Sequence, residues 1–168
     1  MNWLKEFWSW LGNHRPAPAL AAPAVVKEST NQHPRFNFDG VYGQITKNFN
    51  IDEFKTRDGT QVPEEFYGNV ELLAENLQVL RDHVGKSIKI ISGYRHPAYN
   101  RKVGGAKRSQ HLTASAGDMV VKSMSPRKVA DTISKLIKEG KMKKGGLGRY
   151  KRFCHYDVRP KNVRWGRN

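Results

Sequence analysis

The chain has 168 residues, enough for one domain with a proper core and some spare length. Lys and Arg number 30 against 15 Asp and Glu, a formal net charge of +15 at pH 7, and 38% of the residues are hydrophobic. A single cysteine, Cys154, excludes an intrachain disulfide and confines any metal site to His, Asp, Glu or one thiolate, and no apolar run reaches the about 20 residues that cross a bilayer. The charge points to an anionic partner: nucleic acid, an anionic membrane surface, or an anionic polymer such as a bacterial cell wall. Simple solubility is the plainer alternative, but the charge is clustered. From Lys135 to the C-terminus there are twelve basic residues and two acidic ones, Glu139 and Asp157.

Residues 1–30 read as a segment apart from a domain at 31–168. Trp3, Leu4, Phe7, Trp8 and Leu11 fall on one helical face. The stretch from His14 to Val26 is rich in Pro and Ala and reads as a linker. Ala19 to Ala22 resembles a signal cleavage site, but Lys5 and Glu6 interrupt the apolar part, so a secretory signal is not convincing. An interfacial helix at residues 1–12 that docks on a membrane or a protein, and a tail without function, are the other readings.

In the domain, Phe36, Phe38, Val41 and Tyr42 are expected to pack a lead-in segment. Asn50 with Glu53 is a capping signal. Pro63 suits a first helical position. Val70, Leu73, Leu77, Leu80 and Val84 recur at three and four residues up to Gly85, which predicts a core helix. Ile88 to Ile91 reads as a strand, Ala98 to Lys102 as one helical turn, and Val103 to Arg108 as a basic, glycine-containing loop. Met119 to Val121 is a second strand. Ser125-Pro126 starts a helix buried through Val129, Ile133, Leu136 and Ile137. Gly146 to Tyr150 and Cys154 to Val158 form a final strand pair. This order predicts an α+β domain with helices packed on a small, mostly antiparallel sheet.

Chemistry concentrates at three places. His111 and Asp118 are seven residues apart, but Thr113, Ser115 and Gly117 are poor helix material. The spacing therefore reads as a loop carrying His111 that curls onto a strand carrying Asp118. A carboxylate at the head of an apolar strand is costly to bury unless it is paired or bound to metal; capping a turn or pairing with Arg is the alternative. In the Cys154 strand, His155, Asp157 and Arg159 project on one side, and Cys154, Tyr156 and Val158 on the other. Three polar residues on one face suggest a lined cleft, with a solvent-facing edge strand as the alternative. His83 reads as a helix-face residue, His96 as cleft rim at most, and His14 and His33 as linker or surface.

From Ile45 to Trp165 the chain resembles the zinc D-alanyl-D-alanine carboxypeptidase family, which includes bacterial murein endopeptidases and phage endolysins. The resemblance rests on Asn48-Phe49 with Glu53-Phe54, Ser92-Gly93-Tyr94-Arg95, and Tyr99-Asn100 with Val103-Gly104-Gly105-Ala106. It continues through Ser109-Gln110-His111-Leu112, Ala116-x-Asp118, Gly146-x-Gly148-x-Tyr150, His155-x-Asp157-x-Arg159 and Arg164-Trp165. It implies one Zn2+ held by His111, Asp118 and His155 in a cleft. It also implies Arg95 as a catalytic or substrate-binding guanidinium, and Ser109, Gln110 and Tyr150 as substrate-binding residues. Two departures stand out. The family usually has Gly three residues after the first His, where this chain has Ala114. Many relatives have Glu three residues before the second His, where this chain has Arg152. Asp157 then becomes the candidate general base, or the acceptor that orients a metal ligand.

The expected function is a zinc peptidase that cuts peptide bonds of bacterial peptidoglycan, with stem peptides as partners. It is expected to act as a monomer at the cell wall, either periplasmic or secreted, or phage-encoded and released at lysis. The alternatives are a D-alanyl-D-alanine carboxypeptidase on stem-peptide termini and a non-catalytic basic module. No specific nucleic acid is expected, because aromatic residues do not interleave with the basic run.

Overall fold

The computed structural model describes residues 36–166; the expectations for residues 1–30, and for His14 and His33, fall outside them. Two short hairpins come first: β1 (Asn37–Phe38) with β2 (Val41–Tyr42), and β3 (Gln44–Thr46) with β4 (Phe49–Asn50). Phe36 is buried, its ring 4.9 Å from that of Tyr67. Phe38, Val41 and Tyr42 correct the expectation, for they stand 41%, 53% and 58% exposed. Among the described strands β1 and β2 pair only with each other, and a two-residue ribbon leaves most of its side-chain surface in solvent.

Asn50 caps the 3-10 turn Ile51–Phe54 through a full capping box with Glu53. A second 3-10 turn, Glu64–Phe66, precedes the long helix α1 (Tyr67–Val84), so Pro63 stands one turn ahead of the α-helix rather than inside it. The predicted stripe of α1 is its buried face, with Val70, Leu73, Leu77 and Leu80 all at 0% exposure. Helix α2 (Pro97–Lys102) is short. Helix α3 (Pro126–Lys138) is capped by Ser125, whose hydroxyl accepts from the Lys128 amide at 3.3 Å.

The main sheet holds β5 (Ile88–Ser92), β6 (Ala116–Val121), β7 (Gly146–Arg149), β8 (Cys154–Asp157) and β9 (Val163–Trp165), in the order β5-β6-β8-β7-β9. Every pairing is antiparallel except β7 with β9. The α+β class is as predicted. Strand β9 was not anticipated, because three residues cannot display alternation. Met119, Cys154, Tyr156 and Leu147 join α1 and α3 in the core. A side chain at Gly117 would meet Leu73 and Leu77 of α1, so Asp118, one residue on, faces the other way.

The register then lines up one row across all five strands. Ser92 pairs with Asp118, Asp118 with His155, His155 with Gly148, and Gly148 with Trp165. Residues in a cross-strand row share a face. The row thus delivers a hydroxyl, a carboxylate, an imidazole, a gap and an indole to the side of the sheet opposite the helices.

Ala114, which follows the turn carrying His111, has φ +53° and is 1% exposed. Left-handed backbone costs an Ala about 1 kcal/mol. Replacement by Gly removes that cost but adds about 0.4–1 kcal/mol of unfolded-chain entropy and gives up about 0.8 kcal/mol of methyl burial. The three nearly cancel. Ala114→Gly should therefore change unfolding stability by no more than about 1 kcal/mol, whereas Ala114→Val, β-branched at positive φ, should destabilise by about 2 kcal/mol or more. Urea unfolding of both variants checks this, and equal effects of Gly and Val would contradict it.

Candidate active site

The turn Gln110–Thr113 holds His111, and Ser109 shapes that turn by accepting from the His111 amide at 3.3 Å. The His111 carbonyl accepts from the Arg95 amide at 3.0 Å, tying the turn to the segment after β5. The sheet row supplies Asp118 and His155. His111 Nε2 lies 3.2 Å from His155 Nδ1 and 3.3 Å from Asp118 Oδ1, and His155 Nδ1 lies 2.7 Å from Asp118 Oδ1. All three side chains are buried, at 2%, 5% and 6% residue exposure for His111, Asp118 and His155.

The outer nitrogens fix what the inner ones present. His111 Nδ1 is 2.6 Å from the Gly93 carbonyl, which only accepts, so Nδ1 carries the proton and Nε2 keeps its lone pair. His155 faces a carboxylate at each nitrogen, Asp118 Oδ1 at 2.7 Å from Nδ1 and Asp157 Oδ2 at 3.1 Å from Nε2; with a cation at Nδ1 the ring is neutral and Nε2 carries the proton to Asp157. Two imidazole lone pairs and a carboxylate oxygen therefore point at one place. They repel one another unless a cation or a proton lies between them. The two separations from His111, 3.2 and 3.3 Å, match the about 3.3 Å between ligands of a tetrahedral zinc with bonds of about 2.0 Å, and the third, 2.7 Å, is shorter. His, His and Asp are zinc donors, and this is the group of three among the described residues that could hold a metal ion. The residues fit the metal.

The electrostatics carry the same tension. Burial lowers the proton affinity of His111. Burial also opposes charge on His155, but hydrogen bonds to Asp118 and Asp157 outweigh it and raise the pKa of that ring. Asp118 and Asp157 are both held well below the usual carboxylate range. Burial pushes each up, and is overcome by hydrogen bonds to His111 and His155 for Asp118 and to His155 and Arg159 for Asp157.

Behind the metal ligands stands a second layer. Asp157 is 0% exposed. Besides His155, it accepts from Arg159 Nε at 2.7 Å and Nη2 at 2.6 Å, and from the Gly146 amide at 3.0 Å. A Cβ at Gly146 would fall 2.2 Å from Asp157 Oδ2, and a Cβ at Gly148 would fall 2.6 Å from the Trp165 indole nitrogen. The two glycines of β7 thus make room for a carboxylate and an indole, which accounts for the Gly-x-Gly spacing.

In front of the ligands lies an open cleft of roughly 570 Å³, lined by Arg95, Ser109, Gln110, Tyr150 and the three ligand residues. Arg95 is fixed from two sides: Nε donates to Ser92 Oγ at 2.8 Å and Nη2 to Asp118 Oδ2. Tyr150 stacks on Phe153 at 4.4 Å between ring centres, and its hydroxyl accepts from Trp165 Nε1 at 3.0 Å. The site residues named from sequence therefore come together, apart from Asp157, which lies behind His155 and does not line the cleft. His96 is not at the cleft rim; it caps α2 and pairs with Asp58 at 2.7 Å. Arg152 is exposed in the turn between β7 and β8, so no carboxylate occupies that place. Phe153 and Trp165 were not named as site residues. Their signal was weak: one flanks a turn, and the other sits on a strand too short to read.

Asp157→Asn should leave the fold intact and weaken zinc binding by about 10- to 100-fold, as expected when the partner orienting a ligand is lost. Gly146→Ala should do the same by displacing the Asp157 carboxylate, and Arg152→Ala should not. Competition for zinc against a chromophoric chelator measures all three. Unchanged affinity in Asp157→Asn would show that His155 needs no such partner.

Residues 45–157 match the family model described as Peptidase M15. No curated protein sequence matches the chain significantly. The family model spans well over half of the chain, and peptidases of this family depend on zinc, for which this structure offers two imidazoles and a carboxylate in one buried cluster. The chain belongs to the M15 family of zinc peptidases.

Proposed function

We propose that this peptidase hydrolyses peptide bonds in the stem peptides or cross-links of bacterial peptidoglycan. The observation that carries the reading is the convergence of His111 Nε2, Asp118 Oδ1 and His155 Nδ1 at the floor of an open cleft. Family membership and the net charge of +15, suited to an anionic wall, support the substrate class. The wall is the place of action in this reading, reached by secretion or by release at lysis.

A zinc ion held by the three ligand atoms would supply Lewis acidity toward water and the scissile carbonyl. The chain's own groups do the rest. Asp157, clamped by Arg159 and the Gly146 amide, holds the proton on His155 Nε2 and keeps Nδ1 turned to the cleft. Its complete burial suits that orienting role better than contact with a reactant. Arg95 is positioned by Ser92 and Asp118. Its remaining N–H groups can meet an oxygen that gains charge during hydrolysis, or a substrate carboxylate. Ser109 and Gln110 form the wall beside His111, and Tyr150 with Phe153 forms an aromatic wall. Among the described residues Asp118 is the sole carboxylate lining the cleft, and both of its oxygens are engaged.

Purified cell walls embedded in a gel test the reading. The protein should clear them, a chelator should abolish clearing and zinc should restore it. His111→Ala should reduce lysis by more than about 100-fold, beyond the loss expected for an outer partner. Product chromatography then separates endopeptidase cleavage, which turns cross-linked dimers into monomers, from carboxypeptidase release of a terminal residue. Clearing that survives both the chelator and His111→Ala would contradict the assignment.

A further inference from the structure

Three arginines line the cleft, at positions 95, 108 and 159. Two of them already have carboxylate partners inside the protein: Arg95 with Asp118, and Arg159 with Asp157. Arg108 is different. It is exposed, and it has no hydrogen bond or ion pair with any described residue. Among the described residues the only carboxylate lining the cleft, Asp118, is taken by Arg95 and the two histidines. Arg108 is thus a guanidinium lining the cleft without a counter-ion among the described residues.

Its backbone is held in place. The Asn100 side chain donates to the Ala106 carbonyl at 3.0 Å, the Gly105 amide to the Asn100 carbonyl at 2.8 Å, and the Ser109 amide to the Ala106 carbonyl at 3.1 Å. A Cβ at Gly105 would fall 2.1 Å from Asn100 Oδ1, so the loop closes tightly on this asparagine. Arg108 also stands three residues before His111, which keeps its Cα within about 11 Å of the ligand's Cα. Tyr150, Phe153 and Trp165 make the cleft's aromatic surface. The cleft thus combines apolar ring faces with an unpaired guanidinium, carried on a loop held by its backbone, beside the metal ligands.

We infer that Arg108 is a specificity-determining residue that binds a free carboxylate of the substrate close to the scissile bond. The inference rests on the peptidoglycan peptidase reading and names what that site selects: a peptide bearing a carboxylate there, in preference to the same peptide with a carboxamide. A guanidinium pairs with a carboxylate through two parallel charged hydrogen bonds, and a neutral amide cannot accept both.

The test uses the full-length zinc protein and two preparations of cross-linked muropeptides. One keeps its free carboxylates; in the other they have been converted to carboxamides. The wild type should favour the free form by about tenfold or more in kcat/KM, the size expected for hydrogen bonds to a charged group. Arg108→Ala should bring the ratio toward one, Arg108→Lys should retain part of it, and both should keep one zinc per chain. Lys122→Ala, just past the far end of β6, should keep the wild-type ratio. The inference is overturned if Arg108→Ala retains the full preference, or if the wild type cuts both preparations equally; in either case the peptidase reading stands. It is also overturned if Arg108→Ala loses its zinc, which would make the effect structural. A wild type that cuts neither preparation removes the peptidase reading and this inference together.

Discussion

The pairing of Asp118 with His155 across β6 and β8 is the constraint on which the rest of the site depends. The two are Cα partners in an antiparallel ladder, and the helices cover the opposite face of the sheet. A shift of one residue in that register would turn both side chains toward α1 and α3. A buried carboxylate and a buried imidazole would then lie in an apolar core, at a cost of several kcal/mol for the charge alone. The apolar stripe of α1 and the cleft chemistry therefore specify the same register. Gly117, Met119, Cys154 and Tyr156 face the helices because Asp118 and His155 must not.

Each polar group near the cluster limits the freedom of another. Gly93 sets the tautomer of His111, and Asp157 accepts from His155 Nε2 when a cation occupies Nδ1. Arg159 and the Gly146 amide hold Asp157, while Arg95 holds the outer oxygen of Asp118. Charges this deeply buried are tolerable only when every one has a partner. Glycine in β7 completes the arrangement by leaving volume for the Asp157 carboxylate and the Trp165 indole. The substrate side is built to a different rule. Tyr150 is 43% exposed and Arg108 is exposed, which places adaptable groups where a ligand arrives and rigid ones behind them.

Much of this was legible in the sequence, for identifiable reasons. The stripe from Val70 to Leu80 and the alternation from Cys154 to Val158 are periodic signals; both apolar faces are buried as read, and of the polar face His155 and Arg159 line the cleft while Asp157 does not. Placing His111 on a loop and Asp118 on a strand followed from the poor helix formers between them. What escaped was aperiodic. Two-residue β1 and β2 and three-residue β9 are too short to alternate, so Phe38, Val41 and Tyr42 looked like core when they are exposed. The complete burial of Asp157, which favours an orienting acceptor over a base, depends on Arg159 and Gly146 and on no local pattern. The left-handed backbone at Ala114 was likewise invisible, since the sequence shows which residue is there but not its φ.

The cleft chemistry requires that His111 Nε2, Asp118 and His155 Nδ1 share one zinc ion. Anomalous diffraction at the zinc edge, from crystals of the zinc-loaded protein, locates that ion. One strong peak should lie at about 2.0–2.2 Å from each of those three donors, with His155 Nε2 still bonded to Asp157. A peak that lies elsewhere, or that engages His155 through Nε2, would contradict that requirement.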